Sequence, residues 1–487
     1  MSALHRAVRV EPLEAFATPW ELRHAFGDGP CVLLENPGEP SGLGRYAFLG
    51  GDAFLQLEVR FGAAWVGEPG FLEAQQGNPL DVLARLLQAY GGGASPWREG
   101  MPPFLGGVMG YVGYELLEAV EPSVRLRARD ELQVPAASLL FCGSVVAVDL
   151  QERRAWRVTQ AFHGVPEVAE AEAEGRMARL RERTARRADE VFPGGVARPV
   201  GRLTEEVVRA AGFQPRVGRE AYEATVEQAK ADIRDGTVFE VCTSQRFDGV
   251  YAGTGERLYA ALRAVNPAPF GAWLRLEGWE VACSSPERFV RLDRDGWAQT
   301  RPIKGTRPRG ATEAEDVRWR EELAAAEKDR AENVMIVDLA RNDLGRVCAF
   351  GTVRVPRLCE VEAHPFTFQL VSTVEGKLRA GLGAVDLLRA AFPGGSMTGA
   401  PKVEAMRRID ALEPAKRGVF AGSIGYIDWD GAMDLNIVIR TLVKQGERVS
   451  FSVGGAVVAD SDAHEEYRET LDKAHALVAA VEAARKT

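Results

Sequence analysis

From Arg301 to Gly310 the chain reads Arg-Pro-Ile-Lys-Gly-Thr-Arg-Pro-Arg-Gly. One lysine, Lys304, stands among three arginines on a segment stiffened by two prolines. A lysine amine ordinarily titrates near about 10.4, and while protonated it is a poor nucleophile. Neighbouring cations and partial desolvation favour the neutral amine, which is a good one. The same cations would hold an anionic substrate. The segment reads either as a nucleophilic lysine serving a carboxylate-bearing substrate or as a solvated basic loop.

Two predicted helices carry acid pairs three residues apart. Asp329 and Glu332 lie in Glu327–Asn333, and Glu466 and Glu469 lie in Glu465–Thr470. Residues at that spacing share one helix face, so each helix presents two carboxylates together. Two such helices facing each other would make an oxygen-rich site suited to Mg²⁺, while each alone is also an ordinary solvated face. Phe392 to Lys402 is a glycine-rich loop containing Ser396 and Thr398 and running into a helix opened by Pro401. Free backbone N–H groups and the helix dipole make such a place fit for an anion. It is not a P-loop, because the lysine comes three residues after Gly399. Gly454-Gly455 interrupts an apolar strand, as a bulge or as a place for a ligand to approach the backbone. Arg440 lies in an apolar run and needs an anion from protein or ligand. Lys473 falls four residues after Glu469, on the same helix face.

These groups need elements to hold them. Strands are predicted at Cys31–Glu35, Ser138–Val148, Val238–Phe247, Pro286–Asp293 and Glu447–Asp460. Helices are predicted over Pro166–Glu190, Glu220–Arg234, Glu313–Asp343, Pro401–Leu412 and Ala463–Ala484. The break from Phe192 through Pro199 reads as a linker between a region over 1–195 and a second segment over 218–487.

The chain has 487 residues, 46% of them hydrophobic and 26% charged, which supports a large folded core. Its net charge of −9 argues against nucleic acid or a membrane surface as general partners, so an anionic substrate needs a local basic site. Six scattered cysteines with no C-x-x-C pair fit a reducing compartment and argue against a zinc site. The N-terminus lacks a secretory h-region, and no apolar run approaches the roughly 20 residues of a membrane span. The expected location is the cytoplasm.

Several of these stretches recur together in one family. Ser284-Ser285-Pro286-Glu287-Arg288-Phe289, the Lys304 segment, Val334 through Leu344, the Ser396 loop and Gly425-Tyr426 through Arg440-Thr441 stand in family order. From about Gly218 to Ala480 the chain resembles the chorismate-utilising enzymes, which include the anthranilate, aminodeoxychorismate, isochorismate and salicylate synthases. Leu33-Leu34-Glu35-Asn36 and Gly44-Arg45-Tyr46 look like the amino-acid-binding region of the glutamine-dependent members. The resemblance implies an α/β fold of the α+β type: a sandwich of large antiparallel sheets covered by helices, with the N-terminal region packed into the same body.

The resemblance also implies roles. Lys304 marks the aminodeoxychorismate branch, since anthranilate synthases carry alanine there and let ammonia attack C2 of chorismate directly. In the lysine branch the amine attacks C2, the C4 hydroxyl leaves with a shift of the double bonds, and ammonia then attacks C4 and expels the lysine. Glu287 looks like the general acid at the departing hydroxyl. Glu332 and Glu469 look like direct Mg²⁺ ligands, supported through waters by Asp329 and Glu466. Arg440, Tyr426, Lys473 and the Gly454-Gly455 backbone look like the groups that bind the substrate's carboxylates, with Thr306, Ser396 and Thr398 lining the pocket. Gln369 stands where many members have histidine. Glu240 stands where the water-using members have an activating lysine, which argues against water as nucleophile. Asn36 stands where tryptophan-binding members have serine, so tryptophan feedback is not expected. Ammonia would come from a separate glutamine amidotransferase subunit or from solution, because no Gly-x-Cys-x-Gly elbow occurs in the chain. The rival readings are the anthranilate-forming branch and a chorismate-binding regulatory subunit without turnover.

Overall fold

A buried strand occupies Cys31–Glu35, the bounds predicted for it. Its first four side chains are apolar because both faces are covered, Cys31 and Leu33 entering one core cluster and Val32 and Leu34 the other. Both edges are paired too: Leu33 lies opposite Leu49 on one side and Trp273 on the other. The second of those pairings joins the N-terminal region to the strand Phe270–Leu276. A second junction pairs Gly107–Val112 with Ser423–Asp428. The regions over 1–195 and 218–487 therefore share their sheets. The structure is a computed structural model and describes residues 4–38, 43–92, 95–192, 195, 203–364 and 367–486. The linker read over Phe192–Pro199 falls mostly outside those residues.

The long ladder between Tyr46–Arg60 and Ala137–Asp149 lies at the centre, and two antiparallel paths leave it. One runs through Cys31–Glu35, Phe270–Leu276, Trp279–Ser285, Thr441–Gln445 and Arg448–Val457 to Glu240–Val250. The other runs through Gly107–Val112, Ser423–Asp428, Met433–Asn436, Arg288–Leu292 and Trp297–Thr300 to Thr367–Lys377. The strands Ile303–Pro308 and Arg354–Ala363 flank that last strand on its two edges. Large apolar clusters fill the interior, and helices cover the outside. This is the expected α/β sandwich of antiparallel sheets.

The periodicity predicts one helix over Glu313–Asp343, whereas the structure has two, Glu313–Ala325 and Glu327–Gly345, separated at Ala326 with ψ 99°. Neither glycine nor proline marks the break. Packing sets it: Leu323 before the break joins a small cluster with Phe368 and Leu370, whereas Val337 and Leu344 after it enter the main core. The restart places Asp329 in the first turn of the second helix. The C-terminal helix, Ala463–Arg485, begins at Asp462, whose carboxylate accepts the Glu465 N–H at 3.0 Å. No helix among the described residues is long and apolar enough to cross a membrane.

Candidate active site

A cavity of about 670 Å³ lies where the ends of the two strand paths meet the Glu327–Gly345 and Ala463–Arg485 helices. Lys304 enters it from the strand Ile303–Pro308. Gly305 follows with φ +82°, and a Cβ there would stand 2.8 Å from Asp329 Cγ. Glycine thus lets the lysine strand pass close to the helix that carries Asp329 and Glu332. Lys304 Nζ donates to Glu240 Oε1 at 2.9 Å, and Glu332 Oε2 lies 3.8 Å away. Glu240 is fully buried behind the lysine, with its Oε2 unpartnered.

This arrangement corrects the electrostatic argument made from the sequence. The three arginines do not press on Lys304. Arg301 binds Glu362, Arg307 binds Glu322 and Asp329, and Arg309 binds Asp316. Burial opposes the charge on Lys304, but Glu240 together with Glu332 outweighs it and holds the amine well above the ordinary lysine range. In the free protein Lys304 is an ammonium ion, and it must lose a proton before it can attack anything.

Glu287 precedes the strand Arg288–Leu292 and is 6% exposed. Its Oε1 accepts the Ser396 hydroxyl at 3.0 Å. Burial pushes this carboxyl up to about 7, with the Ser396 bond and the charge of Lys304 partly opposing the shift. A carboxyl that titrates near neutrality in a cavity beside a lysine is placed for proton transfer.

The four helix carboxylates line the same cavity. Glu332 stands between Lys304 at 3.8 Å and Lys328 at 3.9 Å. Glu469 is held by Lys473 at 2.5 Å. Glu466 Oε1 accepts the Ser461 hydroxyl at 2.6 Å, while its Oε2 is buried without a partner. A Cβ at Gly455 would meet Glu466 Oε2 at 2.7 Å and Glu469 Oε1 at 3.6 Å, so glycine leaves room for both carboxylates. Burial raises Glu466 and Glu332; for Glu469 burial is outweighed by Lys473, which lowers it. Among the described residues no three acidic, histidine or cysteine groups are gathered tightly enough to hold a metal as they stand. The donor set still fits a hard cation: four carboxylates from two helices, one orphaned oxygen and a glycine cradle.

Cations occupy the adjoining wall. Arg440, at φ +54°, donates to the Lys473 carbonyl at 2.6 Å and enters no ion pair among the described residues. Lys473 Nζ also donates to the Gly454 carbonyl at 2.6 Å. Gly454 and Gly455 lie opposite Ser244 and Thr243 on the neighbouring strand. An unpaired guanidinium beside the glycine backbone at the cavity wall can take a carboxylate.

Thr306 and Gln369, paired across neighbouring strands, line the cavity as well. Three residues singled out from the sequence do not line the cavity: Glu240, which sits behind Lys304, Thr398 and Tyr426. Thr398 is fully buried, and its hydroxyl bonds to the Gly394 carbonyl at 3.3 Å. Tyr426 is turned away from this cavity. Its ring packs on Phe48 at 5.1 Å and Phe104 at 4.8 Å and lines a second cavity of about 540 Å³. Tyr426 sits on a strand paired on both edges, and its alternate residues face opposite ways, so closeness in sequence to Arg440 did not fix its direction. The aromatic side chain that lines the first cavity is Phe420. Leu34, Glu35, Gly44, Arg45 and Tyr46 border the second cavity, whereas Asn36 borders the first. Sequence reasoning also passed over Lys328 and His364, both at the first cavity. His364 is one of only six histidines in the chain, and that rarity was the available signal.

The pattern described as chorismate binding enzyme matches residues 59–479. The chain is 41% identical over 471 residues to an aminodeoxychorismate synthase of Streptomyces pristinaespiralis, covering 94% of this chain and 62% of that protein. It therefore spans less than two thirds of that relative's length. It is 37% identical over 462 residues to an anthranilate synthase component 1 of Synechocystis, covering 93% of this chain and 90% of the relative. Among solved structures, anthranilate synthase component I from Streptococcus pneumoniae superposes with a TM-score of 0.74 at 29% identity, covering 90% of this chain and 93% of that one.

Proposed function

Because the chain belongs to the family of chorismate binding enzymes, we propose that it is the chorismate-converting component of an aminodeoxychorismate synthase. The observation that carries this reading is Lys304, whose amine lies in the cavity with Glu240 in contact and Glu287 on the same wall system. Anthranilate formation needs no amine from the protein at that place.

In this reading the two carboxylates of chorismate are drawn to Arg440, Lys473 and the Gly454-Gly455 backbone. Glu332 and Glu469, with Asp329 and Glu466, would hold Mg²⁺, which supplies positive charge for a substrate carboxylate when bound. Glu240 takes a proton from Lys304 across their 2.9 Å contact. The freed amine forms a bond to C2 while the ring double bonds shift and the C4–O bond breaks, with Glu287 giving its proton to the departing hydroxyl as water. Ammonia then bonds to C4, the double bonds shift back, and the C2–N bond to Lys304 breaks. Two allylic displacements thus replace one and leave nitrogen at C4. The ammonia comes from a glutamine amidotransferase subunit, and the product is the precursor of 4-aminobenzoate for folate.

The test is to incubate the purified chain with chorismate, Mg²⁺ and an ammonium salt and identify the product by chromatography and mass. A product that a lyase converts to 4-aminobenzoate supports the reading. Anthranilate would overturn it in favour of the other ammonia-using branch, to whose Synechocystis member the chain is 37% identical.

A further inference from the structure

His364 follows the strand Arg354–Ala363, and its N–H donates at 2.8 Å to the carbonyl of Thr367, the first residue of Thr367–Lys377. Glu362 lies directly across from Gln369, and His364 follows Glu362 by two residues, so all three share one face of the strand pair. His364 and Gln369 both line the cavity that contains Lys304. Each has a buried polar atom with no hydrogen-bond partner among the described residues: Nε2 of His364 and Oε1 of Gln369. Gln369 is only 7% exposed, and either orientation of its amide leaves one polar atom for a ligand. A buried polar atom left without a hydrogen bond is costly unless something arrives to satisfy it.

We propose that His364 and Gln369 form the subsite that receives the incoming ammonia, accepting its N–H hydrogen bonds. The proposal rests on the reading of this chain as an ammonia-consuming enzyme. The chemistry of the wall selects the ligand. Arg440, which carries the unpaired positive charge, lies on a different wall and suits carboxylates. Ser396 already occupies Glu287. The charged groups around His364 are matched: Glu362 lies 3.9 Å from Nε2 but is bound by Arg301, with Arg357 at 3.8 Å. Arg309 donates to the His364 carbonyl at 2.9 Å and is itself paired with Asp316. Among the described residues no free cation is left there to attract a carboxylate, and no free carboxylate to trap ammonium. Burial holds the imidazole below the ordinary histidine range, with Glu362 opposing and Arg301 reinforcing the shift. A neutral imidazole offers one acceptor nitrogen, and the glutamine carbonyl offers another. Small neutral donors fit this pair.

Steady-state kinetics with ammonium chloride as nitrogen source tests this, using wild type, His364→Ala, Gln369→Leu and His364→Asn. The KM for ammonia should rise about tenfold in His364→Ala and in Gln369→Leu, the loss expected for one hydrogen bond. The dissociation constant for chorismate should stay within about twofold. His364→Asn, which keeps an acceptor, should recover most of the loss. At constant free ammonia, wild type should lose affinity at acid pH as Nε2 becomes protonated and turns from acceptor to donor, and His364→Asn should lack that limb. An unchanged KM for ammonia in both variants would overturn the subsite while leaving the functional reading intact. An equal loss of chorismate affinity would instead assign the pair to the organic substrate and overturn the proposal. A wild-type product without nitrogen would remove the functional reading and the subsite with it.

Discussion

Lys304 and Glu240 should be energetically coupled whether or not the enzyme turns over. Their side chains are 11% and 0% exposed, and the contact is 2.9 Å. At that distance the attraction is about 6 kcal/mol for an effective dielectric near about 20, against a desolvation cost of several kcal/mol per ion. The pair is worth little in net terms, but breaking it from one side is expensive. Lys304→Ala leaves Glu240 buried, charged and without a cation, a loss of about 3 kcal/mol or more. Glu240→Gln removes the burden, since Lys304 keeps Glu332 at 3.8 Å, and should cost about 1 kcal/mol. The double variant should therefore be more stable than Lys304→Ala alone, with a coupling of about 2 kcal/mol. A chain of 487 residues has an unfolding entropy of about 1 kcal/mol/K, so Lys304→Ala should lower the thermal midpoint by about 3 °C. Thermal melts of the four proteins at one scan rate read this directly. If Lys304→Ala melts within about 1 °C of wild type, or if the two losses simply add, the buried-pair argument is wrong. The same variant should bind chorismate and lose turnover.

Glu287 titrates at about 7 and acts in its protonated form, so kcat/KM should fall about tenfold per pH unit above about 7, and Glu287→Gln should lose at least about a hundredfold at every pH. A flat profile to pH 9 would remove Glu287 as the acid. Glu469→Gln should weaken Mg²⁺ about tenfold or more by isothermal titration, and chelation should abolish activity reversibly; a wild-type titration would mean the cation is held elsewhere. Tyr426→Phe should leave the KM for chorismate within about twofold, whereas Phe420→Ala should raise it by about tenfold, because only Phe420 lines the cavity. The reverse order would place the substrate in the other cavity.

The elements that hold the site were legible in the sequence because their signals are local. The apolar run Cys31–Glu35, the glycine pair at 454–455 and the i, i+3 acid spacing on two helices all survive without knowledge of the fold. What could not be read is which distant group answers which charge. The basic segment around Lys304 looked like a field of positive charge, yet its arginines find acids up to 61 positions away, at Glu362. Glu240, 64 positions from Lys304, reverses the expected direction of the lysine's shift. The break at Ala326 was equally hidden, since tertiary packing and not a breaker residue imposes it. Tyr426 shows the third limit: a motif neighbour on a strand faces whichever side the pleat dictates.

The pairing of Cys31–Glu35 with Phe270–Leu276 also sets a clock on biosynthesis. Cys31 meets Arg275 across some 240 residues of intervening chain. At about 5–20 residues per second a ribosome needs roughly 12–50 s to supply that partner. Through that interval one edge of an apolar strand waits open, ready to pair with any other extended chain. Yield in a host cell should consequently depend on elongation rate and on chaperones that cover nascent strands, and fragments ending before residue 270 should aggregate instead of folding.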